Sequence, residues 1–98
     1  MIYKVVLSQT AVDGLATLRE WIAGEAGVDV ADGYIRRIAA KFATLETFPE
    51  RGSAKPEVGQ GIRSLSFERR RIVFYRITGA IVLIERVIDS RRDLPSTF

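Results

Sequence analysis

Arginine is the chemistry-bearing residue that recurs with a pattern in this chain. Gly61-Ile62-Arg63, the run Arg71-Ile72-Val73-Phe74-Tyr75-Arg76-Ile77, and Ile81 to Asp93 set guanidinium groups at intervals along short apolar segments. Residues 61–98 hold eight Arg against four Asp and Glu, whereas residues 1–60 hold seven Lys and Arg against eight Asp and Glu, so the formal charge of +3 conceals a basic C-terminal part. Guanidinium groups on a strand scaffold form a positive surface that attracts phosphate or acidic protein and speeds encounter with it. Ordinary surface charge with a few ion pairs would give the same composition.

What is missing narrows the chemistry further. The chain has no histidine, so no side chain has an unperturbed pKa near neutrality, and acid–base catalysis would need a strongly shifted carboxylate, lysine or tyrosine. It has no cysteine either, which removes disulfides, thiolate nucleophiles and sulfur metal sites. Ser-His-Asp and Cys-His machinery is excluded, and zinc would find only carboxylates to bind it. The lysines, Lys4, Lys41 and Lys55, lie outside the arginine-bearing segments, and no tyrosine follows Tyr75.

The elements that must position these groups follow from periodicity. A length of 98 residues suits one core, and 47% hydrophobic with 28% charged residues suits a soluble globular domain. No apolar run approaches the roughly 20 residues of a membrane span, and the first residues lack a signal-peptide pattern, so a cytoplasmic protein is expected. Residues 2–7 are β-branched and aromatic, as in a strand. Ser8 or Thr10 then caps a helix whose apolar positions Leu15, Leu18 and Ile22 recur at helical spacing until Gly24 to Gly27. A second helix starts at Asp29, carries Ala31, Tyr34, Ile35, Ile38, Phe42 and Leu45 on one stripe, and ends at Pro49 and Gly52.

Residues 53–60 read as a loop. Three strands are expected at about 61–67, 71–78 and 80–88, with turns at Glu68 to Arg70 and at Thr78-Gly79, short enough to force antiparallel hairpins. Both alternating sets of the last strand are apolar, Ile81, Leu83 and Val87 against Val82, Ile84 and Ile88, so it should be central. The helical hairpin covers one face of such a sheet, which leaves the second for a partner segment. The whole is one α+β domain over 1–98: an N-terminal strand, a helical hairpin and a three-stranded antiparallel meander.

The order of these pieces, together with Leu7-Ser8, Ala11 and Leu15, Ala31 with Tyr34-Ile35, Leu45 with Pro49 and Gly52, Gly61-Ile62-Arg63, Arg71 to Arg76 and Val82 to Asp93, resembles the RelE/ParE toxins of bacterial type II toxin–antitoxin systems. The ParE branch is the nearer. The resemblance implies a toxin that inhibits DNA gyrase, is neutralised by a cognate ParD-like antitoxin, meets operator DNA only through that antitoxin, and needs no cofactor, metal or membrane. A ribosome-dependent mRNA nuclease of the RelE type is the alternative, and a non-toxic remnant that keeps only antitoxin binding is a third. Nuclease members surround RNA with Lys, Arg, Glu, His or Tyr, and many family members carry His-Gly where this chain has Asp89-Ser90. The proton-transfer set is therefore poorly supplied, and the resemblance leans towards a binding inhibitor with no catalytic residue.

On that reading Arg63, Arg76, Arg86, Arg91 and Arg92 are the candidate target contacts, and Leu18, Trp21, Ile22, Tyr75 and Ile84 the candidate antitoxin contacts. Each has a structural competitor. Arg63 could instead pair with Glu85 or Asp89, and one of Arg91 and Arg92 with Asp93. Trp21, beside the core stripe, could be core, and Tyr75 could be core. Arg69-Arg70-Arg71 reads as the solvated tip of a hairpin rather than a nucleic-acid patch.

Overall fold

The computed structural model, which describes residues 2–90, opens with strand β1 (Lys4–Leu7) and two helices, α1 (Gln9–Ala26) and α2 (Val28–Ala43). Ser8 caps α1: its Oγ accepts from the Ala11 N–H at 3.0 Å and donates to the Glu85 carbonyl at 2.7 Å, which ties the helix start to the sheet. Gly27 ends α1 at φ +102°, a left-handed value that suits glycine, and lets α2 begin at the next residue. The apolar stripe continues beyond α2, but Thr44–Glu46 and Pro49–Arg51 are separate single 3-10 turns rather than a longer helix. Pro49 breaks the hydrogen-bond ladder there.

Four more strands complete the sheet: β2 (Ser53–Ala54), β3 (Arg63–Phe67), β4 (Arg71–Thr78) and β5 (Ile81–Asp89), in the order β1-β5-β4-β3-β2. The last three form the expected antiparallel meander. Strand β1 runs parallel to β5, from Lys4 opposite Ile81 to Leu7 opposite Ile84, and the long connection that a parallel pair requires holds the helical hairpin followed by β2, β3 and β4. Strand β5 thus has a neighbour on both sides, as its apolar composition implies.

Its two apolar sets are not those of simple alternation. Phe74 stands opposite Arg86 whereas Tyr75 stands opposite Ile84, so Glu85 is an extra residue that bulges β5. The bulge shifts the phase by one residue. Val87 therefore joins Val82 and Ile84 in the main core, and Ile88 crosses to the other side, the reverse of the expected grouping.

The main core lies between the sheet and the helices, where Ala11, Ile38, Phe42 and Leu45 pack on Val73, Tyr75, Val82 and Ile84. Phe74 alternates with Val73 and Tyr75 and so faces away from the helices. It is covered from within the chain: Val58 and Ile62 close over it, flanked by Ile72 and Ile88. Residues 55–62 are held for this purpose by backbone hydrogen bonds from Lys55 N to Ile62 O at 2.8 Å and from Ile62 N to Gly59 O at 3.1 Å. Each large apolar side chain so buried contributes about 1.5–3 kcal/mol. The segment read as a plain loop is a lid, and it covers part of the sheet face assigned to a partner. Across β1 and β5 the same face stays partly open at Val6, Leu83 and Ile81.

Candidate interaction surface

The sheet does not gather the arginines of the meander onto one surface. Arg63 pairs opposite Tyr75 and so projects to the helix side, whereas Arg76 and Arg86 share the side of Phe74. Arg91 and Arg92 lie outside the described residues. Arg63 reaches neither Glu85 nor Asp89, because β4 separates β3 from β5. Its Nη1 instead donates to the Gly52 carbonyl at 2.9 Å and, more weakly, to the Glu50 carbonyl at 3.4 Å. Glu85 is taken by Arg76 at 3.8 Å and Asp89 by Arg71 at 3.7 Å. Arg86 also interacts within the fold.

Of the candidate antitoxin contacts, Tyr75 and Ile84 are fully buried, 0% exposed, and their side chains belong to the core rather than to a docking surface. Both point towards the helices, which already cover that face. The Tyr75 hydroxyl donates to the Pro49 carbonyl at 2.7 Å and accepts from the Gly52 N–H at 2.9 Å, so it holds the 49–52 turn against the sheet. Burial raises its pKa above the ordinary tyrosine value, with the Gly52 hydrogen bond acting against the shift. Ile22 is buried as well, and Leu18 is half-buried.

Trp21 behaves differently. It is 59% exposed, although its place beside the core stripe also allowed a core position. Val28 and Val30, in the first turn of α2, are exposed as well. Sequence periodicity alone does not single these two valines out. Val30 falls outside the 31, 34, 35, 38, 42 stripe and so has no core to enter, whereas Val28 lies along the stripe but at the very start of the helix. Across the hairpin, Arg19 and Asp32 form an ion pair at 2.8 Å, which places Trp21 on α1 at about the level of Val30 on α2. Three exposed apolar side chains thus lie near the turn of the helical hairpin, with Val28 and Val30 projecting to different sides of α2.

A second, cationic feature lies at the tip of the β3–β4 hairpin. Arg70 N–H donates to the Phe67 carbonyl at 3.2 Å, and both central residues have positive φ, Glu68 at 49° and Arg69 at 62°. That is the pattern of a type I′ turn, normally built from Asn and Gly; a charged side chain in each place costs about 1–2 kcal/mol. Glu68 is gripped by Arg37 of α2 through hydrogen bonds of 2.7 and 3.2 Å. The hydrogen bond to Arg37 holds the Glu68 carboxyl below its ordinary pKa. Arg37 also sits 5.6 Å from the centre of the Tyr34 ring, which meets Phe67 edge-on at 5.4 Å. The arginines at this tip stand out in the sequence as a run, whereas Arg36 and Arg37 are marked there only as two adjacent arginines on a helix.

Cleavage of RNA through its 2′-hydroxyl would need a proton acceptor, a proton donor for the leaving oxygen, and cations for the charged transition state. Cations are present. Tyr75 is closed off by its own hydrogen bonds. The nearest carboxylates of the meander, Glu85, Asp89 and Glu68, face arginines at 3.8, 3.7 and 2.7 Å. The arrangement suits binding.

Comparison with known proteins agrees in family and fold. Residues 5–94 match the family model described as the ParE toxin of the type II toxin–antitoxin system parDE. Toxin ParE3 of Caulobacter vibrioides is 34% identical over 68 residues, which span 69% of this chain and 67% of that protein. Among solved structures, the chromosomal ParDE TA system from P. aeruginosa superposes with a TM-score of 0.79 at 19% identity, over 90% of this chain and 96% of that one, which bears on the fold.

Proposed function

The chain belongs to the ParE toxin family of type II toxin–antitoxin systems, and from that premise we propose that it is a cytoplasmic binding inhibitor of DNA gyrase, kept silent by a cognate ParD-like antitoxin. The observation that carries this reading is the mismatch between cations and proton carriers. Exposed guanidinium groups are plentiful, the chain has no histidine, and the tyrosine of the meander is sealed in the core by two hydrogen bonds. Such a surface grips a charged target and leaves it chemically intact.

The antitoxin takes the apolar surfaces. Trp21, Val28 and Val30 at the turn of the helical hairpin, with half-buried Leu18 beneath, suit the apolar side of an amphipathic helix. The open strip of Val6, Ile81 and Leu83, with Lys4, Arg76 and Arg86 on the same sheet face, suits an acidic extended segment. A segment that folds on binding can wrap both surfaces, with part of the interaction energy offset by the entropy of ordering it.

Purified toxin added to gyrase, relaxed plasmid and ATP is expected to stop supercoiling, and antitoxin added first is expected to restore it. Translation arrest with cuts in ribosome-bound message, and unimpeded gyrase, would replace this reading with the nuclease. Replacing Arg91 and Arg92 together by Ala is expected to reduce toxicity strongly and to leave antitoxin affinity within about tenfold, since apolar burial dominates that complex.

A further inference from the structure

We propose that the β3–β4 hairpin tip, Arg69 and Arg70 together with Arg36 of α2, is a contact site for the phosphate backbone of duplex DNA. The proposal deepens the gyrase reading and rests on it, since the DNA concerned is the segment held in the enzyme–DNA complex.

Immobilisation of the tip is the first argument. A hairpin tip whose charges merely face water has no need of a fixed shape, yet this one is tied by three residues, Arg37, Ser90 and its own neighbour Arg71. Arg37 grips the Glu68 carboxylate, Ser90 N–H donates to the Arg70 carbonyl at 2.8 Å, Ser90 Oγ donates to the Arg69 carbonyl at 2.8 Å, and Arg71 Nη1 donates to the Arg70 carbonyl at 3.0 Å. The backbone is held in a conformation that Glu and Arg disfavour. Holding the backbone in advance removes part of the ordering cost of binding through its side chains.

Charge is the second argument. No carboxylate among the described residues lies within ion-pair distance of Arg36, Arg69 or Arg70. The guanidinium groups of Arg36 and Arg37 lie 3.9 and 3.6 Å from where a Cβ on Gly33 would stand, so like charges are held close together on α2, and Arg37 links them to the tip. Such a cluster is eased by an external polyanion.

The choice among polyanions follows from what the patch lacks. Protein hot spots need large apolar or aromatic anchors, and none of the exposed ones belongs to the hairpin tip; the exposed apolar residue of α2 nearest Arg36, Val30, is six residues before it. Single-stranded RNA binds by stacking bases on open aromatic faces, but the Tyr34 ring is occupied by Arg37 and Phe67. Guanidinium groups without stacking partners recognise a duplex through its phosphates, with no sequence preference.

The test is fluorescence anisotropy of a short labelled DNA duplex with the purified full-length toxin across about 50 to 200 mM salt. Three phosphate contacts predict a slope of log affinity against log salt of about −2.7, an approximately 40-fold loss over that range. Arg69→Ala/Arg70→Ala should flatten the slope by about two and weaken binding at least tenfold at low salt, and Arg69→Lys/Arg70→Lys should retain most of both. A thermal melt establishes that each variant is folded. An unchanged slope in the alanine variant would overturn the proposal, as would equal or tighter binding of single-stranded RNA or of a polyglutamate peptide. Gyrase supercoiling is measured alongside: tip-dependent DNA binding without gyrase inhibition leaves the surface standing and removes the gyrase reading.

Discussion

Gly52→Ala is expected to be among the most damaging single-methyl changes in this protein. Gly52 has φ −76° and ψ 158°, which any residue adopts, so the backbone itself does not demand glycine. The demand is spatial. A Cβ there would lie 2.5 Å from the Tyr75 hydroxyl, 2.7 Å from the Ser64 carbonyl and 2.8 Å from Tyr75 Cε1. Ser64 belongs to β3 and cannot retreat without breaking its pairing, so the tyrosine must move, by about 1 Å to restore ordinary contact.

A shift of that size breaks both hydroxyl hydrogen bonds, now 2.7 and 2.9 Å, each worth about 1 kcal/mol. Overpacking adds about 1–3 kcal/mol. The sum, about 3–5 kcal/mol, is a large share of the roughly 5–15 kcal/mol that holds a domain together, and lowers Tm by more than about 10 °C. Urea unfolding measures it, within a double-mutant cycle. Tyr75→Phe alone should cost about 1–3 kcal/mol, because the Pro49 carbonyl and Gly52 N–H lose their partner. Combined with Gly52→Ala it should cost less than the sum by at least about 2 kcal/mol, since the two hydroxyl hydrogen bonds are lost once rather than twice and the nearest clashing atom is gone. Stability of Gly52→Ala within about 0.5 kcal/mol of wild type, or strict additivity, would refute the steric account.

Three further outcomes are expected. Trp21→Ala should leave stability within about 0.5 kcal/mol of wild type, because the side chain is 59% exposed, and should weaken antitoxin binding at least about tenfold; calorimetry of the complex and a thermal melt separate the two. Ser8→Ala removes a hydroxyl that both caps α1 and bonds the Glu85 carbonyl, and should cost about 1–2 kcal/mol in urea unfolding. Burial raises the pKa of Tyr34 and Tyr75 above that of the unfolded chain, so their neutral forms favour the fold fully below pH about 10, and stability should fall as pH rises beyond it. Tyr34→Phe should flatten that decline in urea titrations at alkaline pH.

The sequence carried the fold where periodicity decides. The stripe from Ala31 to Phe42, the cap at Ser8 and the turns at 68–70 and 79 lie where composition put them, because each reflects a local preference. Three features were hidden because they are set by contacts between distant residues. The parallel pairing of β1 with β5 depends on how the crossover packs, the bulge at Glu85 on a register shift against β4, and the lid of Val58 and Ile62 on a Phe74 more than ten residues away. The site was less legible than the fold for the same reason. Arg63 and Tyr75 have functional-looking types, but strand order turns both inward onto the 49–52 segment. A residue's type names its chemistry, whereas the sheet decides whether anything outside can reach it.

Helix α2 connects the two surfaces that remain. Val28 and Val30 stand at its start and Arg36 and Arg37 near its middle, so Val30 and Arg36 are about six residues of helix, or roughly 9 Å of rise, apart. That distance matches the Debye length of about 8 Å at physiological salt. An antitoxin seated on Trp21, Val28 and Val30 would therefore bring any acidic residues that flank its apolar stripe within electrostatic reach of Arg36 and the tip. It need not cover the target surface to disable it. Neutralising the guanidinium field removes the attraction for a polyanionic target, and the same field draws the acidic partner in. Affinity can reside in the apolar side chains, and selectivity between free and silenced toxin in the charge.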